Sequence, residues 1–282
     1  MKKCFQRRSC CVLNEAGRFC QNYLDNIPEI LYNYTWILPE KRDNMYSFHA
    51  RVRYSEVGGD CRLSIPGIVN YLQDCSTFQS EDLKMGIEYL EQSRRAWWLS
   101  SWQIVIERCP QLGEEIVVST WPYDFKGMYG YRNFTIRDSQ GVCLVKANSV
   151  WFLFDTAAGR PVKVEERDIR GYQAGKEEKL DMEYAPRRIG LPEVYQTGRA
   201  VEVVRHHLDT NHHVNNAQYV AIAREALPEE LRIREIRAEY KKAAVLGDVL
   251  IPRISREENA CTVVLCSRED TIYAVVWMKT AE

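Results

Sequence analysis

Asp209, Asn211 and His213 place a carboxylate, a carboxamide and an imidazole at alternate positions of one polar run, Asp209-Thr210-Asn211-His212-His213-Val214-Asn215-Asn216. Four of the five histidines lie between His206 and His213. A carboxylate can activate water or attack directly, and an imidazole can carry a proton near neutral pH. The carboxamide can hold either in orientation. In an extended loop alternate residues point to one side, so the three are expected to converge. Tyr219, Val220, Ala223 and Leu227 then recur at helical spacing until Pro228. Asn215 or Asn216 is a natural N-cap for that helix. Other N–H groups at that helix start, with the helix dipole, favour negative charge developing on a carbonyl oxygen. The same residues also suit a plain capped helix behind a polar loop. A zinc site of His206, His207, His212 and His213 is not expected, because adjacent histidines on a strand point to opposite faces.

The elements that must hold this loop repeat along the chain. Tyr46 to Tyr54 alternates like a strand, and Pro66-Gly67 opens a helix carrying Ile68, Leu72 and Cys75. A series of strands follows, from Trp102 to Phe154, broken by turns at Leu112-Gly113-Glu114 and Asp138-Ser139-Gln140-Gly141. After a connector rich in charge, Gly and Pro, Arg199 to Arg205 alternates again and leads into the Asp209 loop and its helix. Leu246-Gly247-Asp248 echoes Leu112-Gly113-Glu114, and Trp277 is expected where Trp151 sits in the first half. The fold class is α+β: a tandem hot-dog, two antiparallel sheets each wrapped around a long helix. One such unit leaves a strand edge exposed, and a duplicate in the same chain can cover it. The expected boundaries are an N-terminal extension over 1–44, a first unit over 45–172, a linker over 173–198 and a second unit over 199–282.

Composition narrows the function classes. A formal net charge of −1 gives no whole-molecule attraction to nucleic acid or anionic membrane. No apolar run approaches the ~20 residues of a membrane span, and residues 1–25 lack the apolar core of an export signal. The ten cysteines are scattered, so reduced thiols in a cytoplasmic protein are expected.

The pattern Asp209-x-Asn211-x-His213-Val214-Asn215-Asn216-x-x-Tyr219 resembles the signature of the acyl-acyl-carrier-protein thioesterases of fatty-acid synthesis. Arg51-Val52-Arg53-Tyr54-Ser55-Glu56, Asn70-Tyr71-Leu72-Gln73-Asp74-Cys75-Ser76, Trp121-Pro122-Tyr123-Asp124-Phe125-Lys126-Gly127 and Asn148-Ser149-Val150-Trp151 are similar to bacterial members. The resemblance runs from about residue 45 to the end. It implies a tandem hot-dog with catalytic residues in the C-terminal half, and hydrolysis of acyl-acyl-carrier protein to free fatty acid, ending fatty-acid synthesis. Carried over by position, Asp209, Asn211 and His213 form the catalytic set, with His212 a bystander. Asp209 would activate water or attack, His213 and Asn211 would position it, and amides near Val214, Asn215 and Asn216 would receive the oxyanion. The first unit would supply the acyl pocket, with Trp97, Trp102 and Trp151 as candidate lining. No cofactor and no metal are implied. The partner would be acyl carrier protein, which is acidic, so Arg94-Arg95, Arg187-Arg188 and Lys241-Lys242 are candidate docking pairs. Further association into a homodimer stays open.

One departure stands out. Plant members carry an acidic residue and a cysteine shortly after a Glu-Tyr-basic-basic stretch; here Glu239-Tyr240-Lys241-Lys242 is followed by Ala243-Ala244. Either that carboxylate is dispensable or another, such as Glu239, replaces it. The alternatives are another hot-dog enzyme, an acyl-CoA thioesterase or an enoyl-thioester hydratase, and a non-catalytic acyl-carrier-binding protein.

Overall fold

The protein, seen in a computed structural model, is described over residues 45–173, 175 and 177–281; the expected extension over 1–44 lies outside them. The first half runs β1 (Tyr46–Arg51), α1 (Ile65–Asp82), α2 (Ile87–Gln92), β2 (Arg95–Ile106), β3 (Glu115–Lys126), β4 (Tyr129–Asp138), β5 (Cys143–Asp155), β6 (Arg160–Pro161) and α3 (Glu166–Gly171). The second runs β7 (Gln196–Thr197), β8 (Val201–Glu202), α4 (Asn216–Glu225), β9 (Ile233–Tyr240), β10 (Val249–Arg256), β11 (Ala260–Cys266) and β12 (Ile272–Thr280). Each main helix starts on a side-chain cap. Ser64 Oγ accepts the Gly67 N–H at 3.2 Å before α1, and Asn215 Oδ1 accepts the Ala217 N–H at 2.9 Å before α4.

The strands form one sheet in the order β1-β3-β4-β5-β2-β9-β12-β11-β10-β7, all neighbours antiparallel. The two half-sheets are joined edge to edge by β2 and β9, from Ser101 opposite Glu239 to Val105 opposite Glu235. This seam is how the duplication covers an edge that a single unit leaves open. α1 and α4 pack on each other and on the same sheet face, where Ile68, Leu72, Ile104, Ala223, Ile236 and Val276 have no exposure. At 10 residues, α4 is shorter than the long helix expected; α1 has 18. The connector crosses the outer face over the seam: Gln103 donates to Glu183 O and accepts from the Ala185 N–H, at 3.0 and 2.9 Å.

Two expectations fail for local reasons. The strand expected from Arg199 to Arg205 shrinks to β8: before it, Pro252 of β10 has no N–H for the ladder beside Gly198, and after Glu202, opposite the first residue of β10, the chain runs into the 3-10 turn Arg205–His207. Trp277 does not match Trp151. Trp151 packs against the core beneath the helices, whereas Trp277 lies on the outer face with Ile189 and Val275, under the Arg237 guanidinium.

Candidate active site

A 3-10 turn, Arg205–His207, feeds the Asp209 loop. His207 is buried, and its Nδ1 accepts the Val204 N–H at 3.1 Å, which closes that turn. Burial, then the neighbouring His206, lowers the His207 pKa and keeps the ring neutral. His207 is thus committed to the backbone. The loop itself is a tight turn, and the expectation of an extended run is overturned. Asp209 Oδ1 accepts the N–H groups of Asn211 (2.8 Å) and His213 (3.3 Å). The Asp209 N–H donates to His213 O at 2.8 Å, and His212 takes a left-handed φ of 59°. Among the described residues the second carboxylate oxygen of Asp209 and the Asn211 amide have no hydrogen-bond partner. The loop therefore fixes a carboxylate by one oxygen and leaves the other open.

The loop faces a cavity of about 410 Å³ whose walls come from both halves. Asp209, Asn211, Asn215 and Asn216 line it from the second half. Trp97, Phe125, Trp151 and Tyr172 line it from the first, with Gln73, Ser76 and Thr77 of α1. Asn216 Nδ2 donates to Gln73 Oε1 at 3.1 Å, and Asn216 O accepts the Tyr240 hydroxyl at 3.0 Å, so the start of α4 is tied to both halves. Asp74, beside Gln73, also lines the cavity; desolvation raises its carboxyl pKa.

The sequence-level candidates fare unequally. His213 is absent from the cavity wall; its ring meets Trp98 edge to face, with centroids 5.7 Å apart and planes at 88°. Trp98 in turn stacks on Phe154 at 3.9 Å. Trp97 and Trp151 do line the cavity, but Trp102 is 2% exposed and packs on Phe134 and Trp151 in the core. Of the three backbone amides expected at the oxyanion, two are taken: Val214 N–H by Ala244 O (2.9 Å) and Asn215 N–H by His207 O (2.8 Å). Of these three, the Asn216 N–H alone has no acceptor among the described residues. Glu239 cannot replace the missing acidic residue. It lies on the outer face, where Oε2 accepts the Ile189 N–H at 3.0 Å and Oε1 pairs with Lys241 at 3.0 Å. Arg95 is no docking residue either; it is buried and grips Asp168 with two nitrogens at 3.0 and 3.1 Å. Residue type alone singles out neither Trp98 nor Gln73: Trp98 has the same chemistry as its neighbour Trp97, and Gln73 is one polar residue among several on α1.

Two sheet-and-helix units fused along one seam, with a polar loop of the second facing a cavity walled largely by the first, define a tandem hot-dog protein. Residues 43–172 match the acyl-ACP thioesterase N-terminal domain and residues 194–277 match the acyl-ACP thioesterase C-terminal domain, so the chain belongs to the acyl-ACP thioesterase family. It is 22% identical over 251 residues to a chloroplastic acyl-[acyl-carrier-protein] hydrolase of Cuphea viscosissima, covering 82% of this chain and 60% of that protein. It is 25% identical over 245 residues to the dodecanoyl-[acyl-carrier-protein] hydrolase of Umbellularia californica, covering 76% and 62%. The chain thus spans about three fifths of the length of these plant relatives. An acyl-ACP thioesterase structure from Bacteroides thetaiotaomicron superposes with a TM-score of 0.77 at 22% identity, over 84% of this chain and 98% of that one. A putative oleoyl thioesterase from Lactobacillus plantarum gives 0.75 at 20%, over 84% and 97%.

Proposed function

We propose that the protein hydrolyses the thioester of acyl-acyl-carrier protein and releases the free fatty acid. The observation that carries this reading is the shared cavity: the aromatic rings of Trp97, Phe125, Trp151 and Tyr172 from one half share it with the open oxygen of Asp209 and the Asn211 amide from the other. In this reading residues 45–172 provide the acyl pocket, 173–198 link, and 199–282 provide the catalytic loop. Asp209 activates the water or attacks the thioester carbonyl. Asn211 and His213 orient the reacting groups, and the Asn216 N–H is the backbone donor still able to meet the oxyanion. Ala243 and Ala244 bring no acid or base, and Asp209 is the only carboxylate in the run 209–216.

The partner is acyl carrier protein, met at exposed Arg94, Arg187-Arg188 and Lys241-Lys242. The six described cysteines are free thiols, which suits a reducing cytoplasm. Among the described residues no helix is long and apolar enough to cross a membrane. Free acid release should be measured over a panel of acyl-acyl-carrier-protein chain lengths, with the matching acyl-CoA beside each. Turnover concentrated on the carrier-protein series is expected. Faster turnover of the CoA series would transfer the reading to an acyl-CoA thioesterase.

A further inference from the structure

Arg132, on β4, lines the cavity with 8% of its surface exposed. Its Nη1 donates to Gln79 Oε1 and to Thr120 Oγ1 (3.2 Å), and its guanidinium carbon lies 5.6 Å from the centre of the Tyr172 ring. All three neighbours are neutral. Among the described residues no carboxylate pairs with Arg132, and its Nε and Nη2 have no acceptor. Asp74 and Glu91 line the same cavity, yet neither comes within ion-pairing distance of it. Arg95, also on the wall, has its Asp168 counter-ion. Burial lowers the Arg132 pKa to about 10, so the group stays charged at neutral pH. A buried cation without a counter-ion is costly, and a plain alkyl chain laid against it returns nothing for the water it displaces.

The unused atoms have a definite shape. Nε and Nη2 form the side-on edge of the guanidinium fork, which fits the two oxygens of a carboxylate. We infer that the end of the cavity away from the Asp209 loop is a carboxylate subsite, where Arg132 receives the far-end carboxylate of a dicarboxylic acyl chain. The reach follows from α1: Gln73 holds Asn216 at the loop, and Gln79 holds Arg132, six residues on. That is a rise of ~9 Å, the span of a medium-length chain.

The inference rests on the proposed thioester hydrolysis, and its test separates the two. Release is measured from octanoyl- and octanedioyl-acyl-carrier protein with the wild type, Arg132→Met and Arg132→Lys. Arg132→Met is expected to lose at least about 30-fold in kcat/KM on octanedioyl while keeping or gaining rate on octanoyl. Arg132→Lys, which keeps the charge and loses the fork, should fall between. Wild-type turnover of octanoyl without octanedioyl, or equal losses on both in a folded Arg132→Met, would overturn the subsite alone. Release from neither substrate, and from no other member of the acyl-acyl-carrier-protein panel, sinks the hydrolase reading. The subsite is then decided by calorimetry with free octanoate against octanol on wild type and Arg132→Met: tighter binding of octanoate that Arg132→Met loses supports it, and equal or weaker binding of octanoate by the wild type overturns it.

Discussion

Residues 53–64 and 204–215 follow one backbone path and carry different chemistry. The Gly58 N–H meets Arg62 O at 2.9 Å as the Asp209 N–H meets His213 O at 2.8 Å. The Ser64 N–H meets Glu56 O as the Asn215 N–H meets His207 O, and the Leu63 N–H meets Pro110 O as the Val214 N–H meets Ala244 O. Even the left-handed residue is matched, with φ 58° at Cys61 and 59° at His212. Where the second loop has Asp209, Asn211 and His213, the first has Gly58, Asp60 and Arg62. The surroundings differ as well. After α1 the chain makes a wide excursion through α2, whose Ile87 and Leu90 line the cavity. After α4 it is drawn tight, because the Arg224 guanidinium takes the carbonyls of Leu227, Pro228 and Glu229. A duplicated frame thus supplies a helix start twice, and side chains together with one longer connection turn a single copy into a site.

The largest effect should come from removing the carboxylate. Asp209→Asn is expected to lower kcat by about 10²–10⁴-fold with the fold intact by circular dichroism. Adding Gly58→Asp to that variant should restore nothing, since the first loop lacks the amide, the imidazole and the cavity. Recovered turnover in the double variant would mean that frame and carboxylate suffice. Next, His213→Ala should cost about 10²-fold in steady-state kcat. Trp98→Leu, which removes only the ring that seats His213, should cost about ten-fold in kcat with KM little changed. A fall in KM-dependent rate alone would place Trp98 in substrate binding.

Acid should separate the two loops by a smaller margin. At one position a side chain closes the turn before each loop: Glu56 Oε2 accepts the Arg53 N–H at 2.9 Å, and His207 Nδ1 accepts the Val204 N–H at 3.1 Å. Burial works to raise the Glu56 pKa, but hydrogen bonds from the Arg53 side chain and N–H and from the Tyr71 hydroxyl leave it lowered. The His207 pKa is lowered by burial. Both folded values lie below the unfolded ones, so each contribution is complete above the unfolded pKa and is lost as pH falls through the folded value. For His207 the loss begins below 6.5, and for Glu56 only below 4.5. Hydrogen exchange followed from about pH 7 to about pH 5 should show Val204 losing protection while Arg53 keeps it. His207→Gln, which still offers an acceptor, should flatten the difference.

Much of this frame was readable from residue types. The Leu112-Gly113-Glu114 and Leu246-Gly247-Asp248 turns occupy matching places, their glycines at φ 80° and 85° donating to Val52 O and Val203 O. The strand alternation also separates Tyr240, which reaches Asn216, from Glu239, which faces the connector. What stayed hidden depends on partners far along the chain. Arg94-Arg95 reads as a charged surface until Asp168 is seen to take Arg95 out of water. Trp97 and Trp98 have the same chemistry, and only the fold decides that one lines the cavity and the other meets His213. The open oxygen of Asp209 arises from a turn in which the side chain bonds its own loop, a choice that alternation does not encode.

The smallest predicted effect is the strictest check on the matched frames. A residue other than glycine held at left-handed φ stores strain that glycine does not, partly offset by glycine's greater freedom in the unfolded chain. His212→Gly should therefore raise stability by up to about 1 kcal/mol, and Cys61→Gly should do so by a similar amount, read as shifts in urea midpoint at constant m. His212→Gly should also leave kcat near the wild-type value, because the cavity wall and the Trp98 contact both exclude His212. If His212→Gly loses as much activity as His213→Ala, the working imidazole is one residue earlier, and the two loops differ in chemistry at a position where their backbones agree.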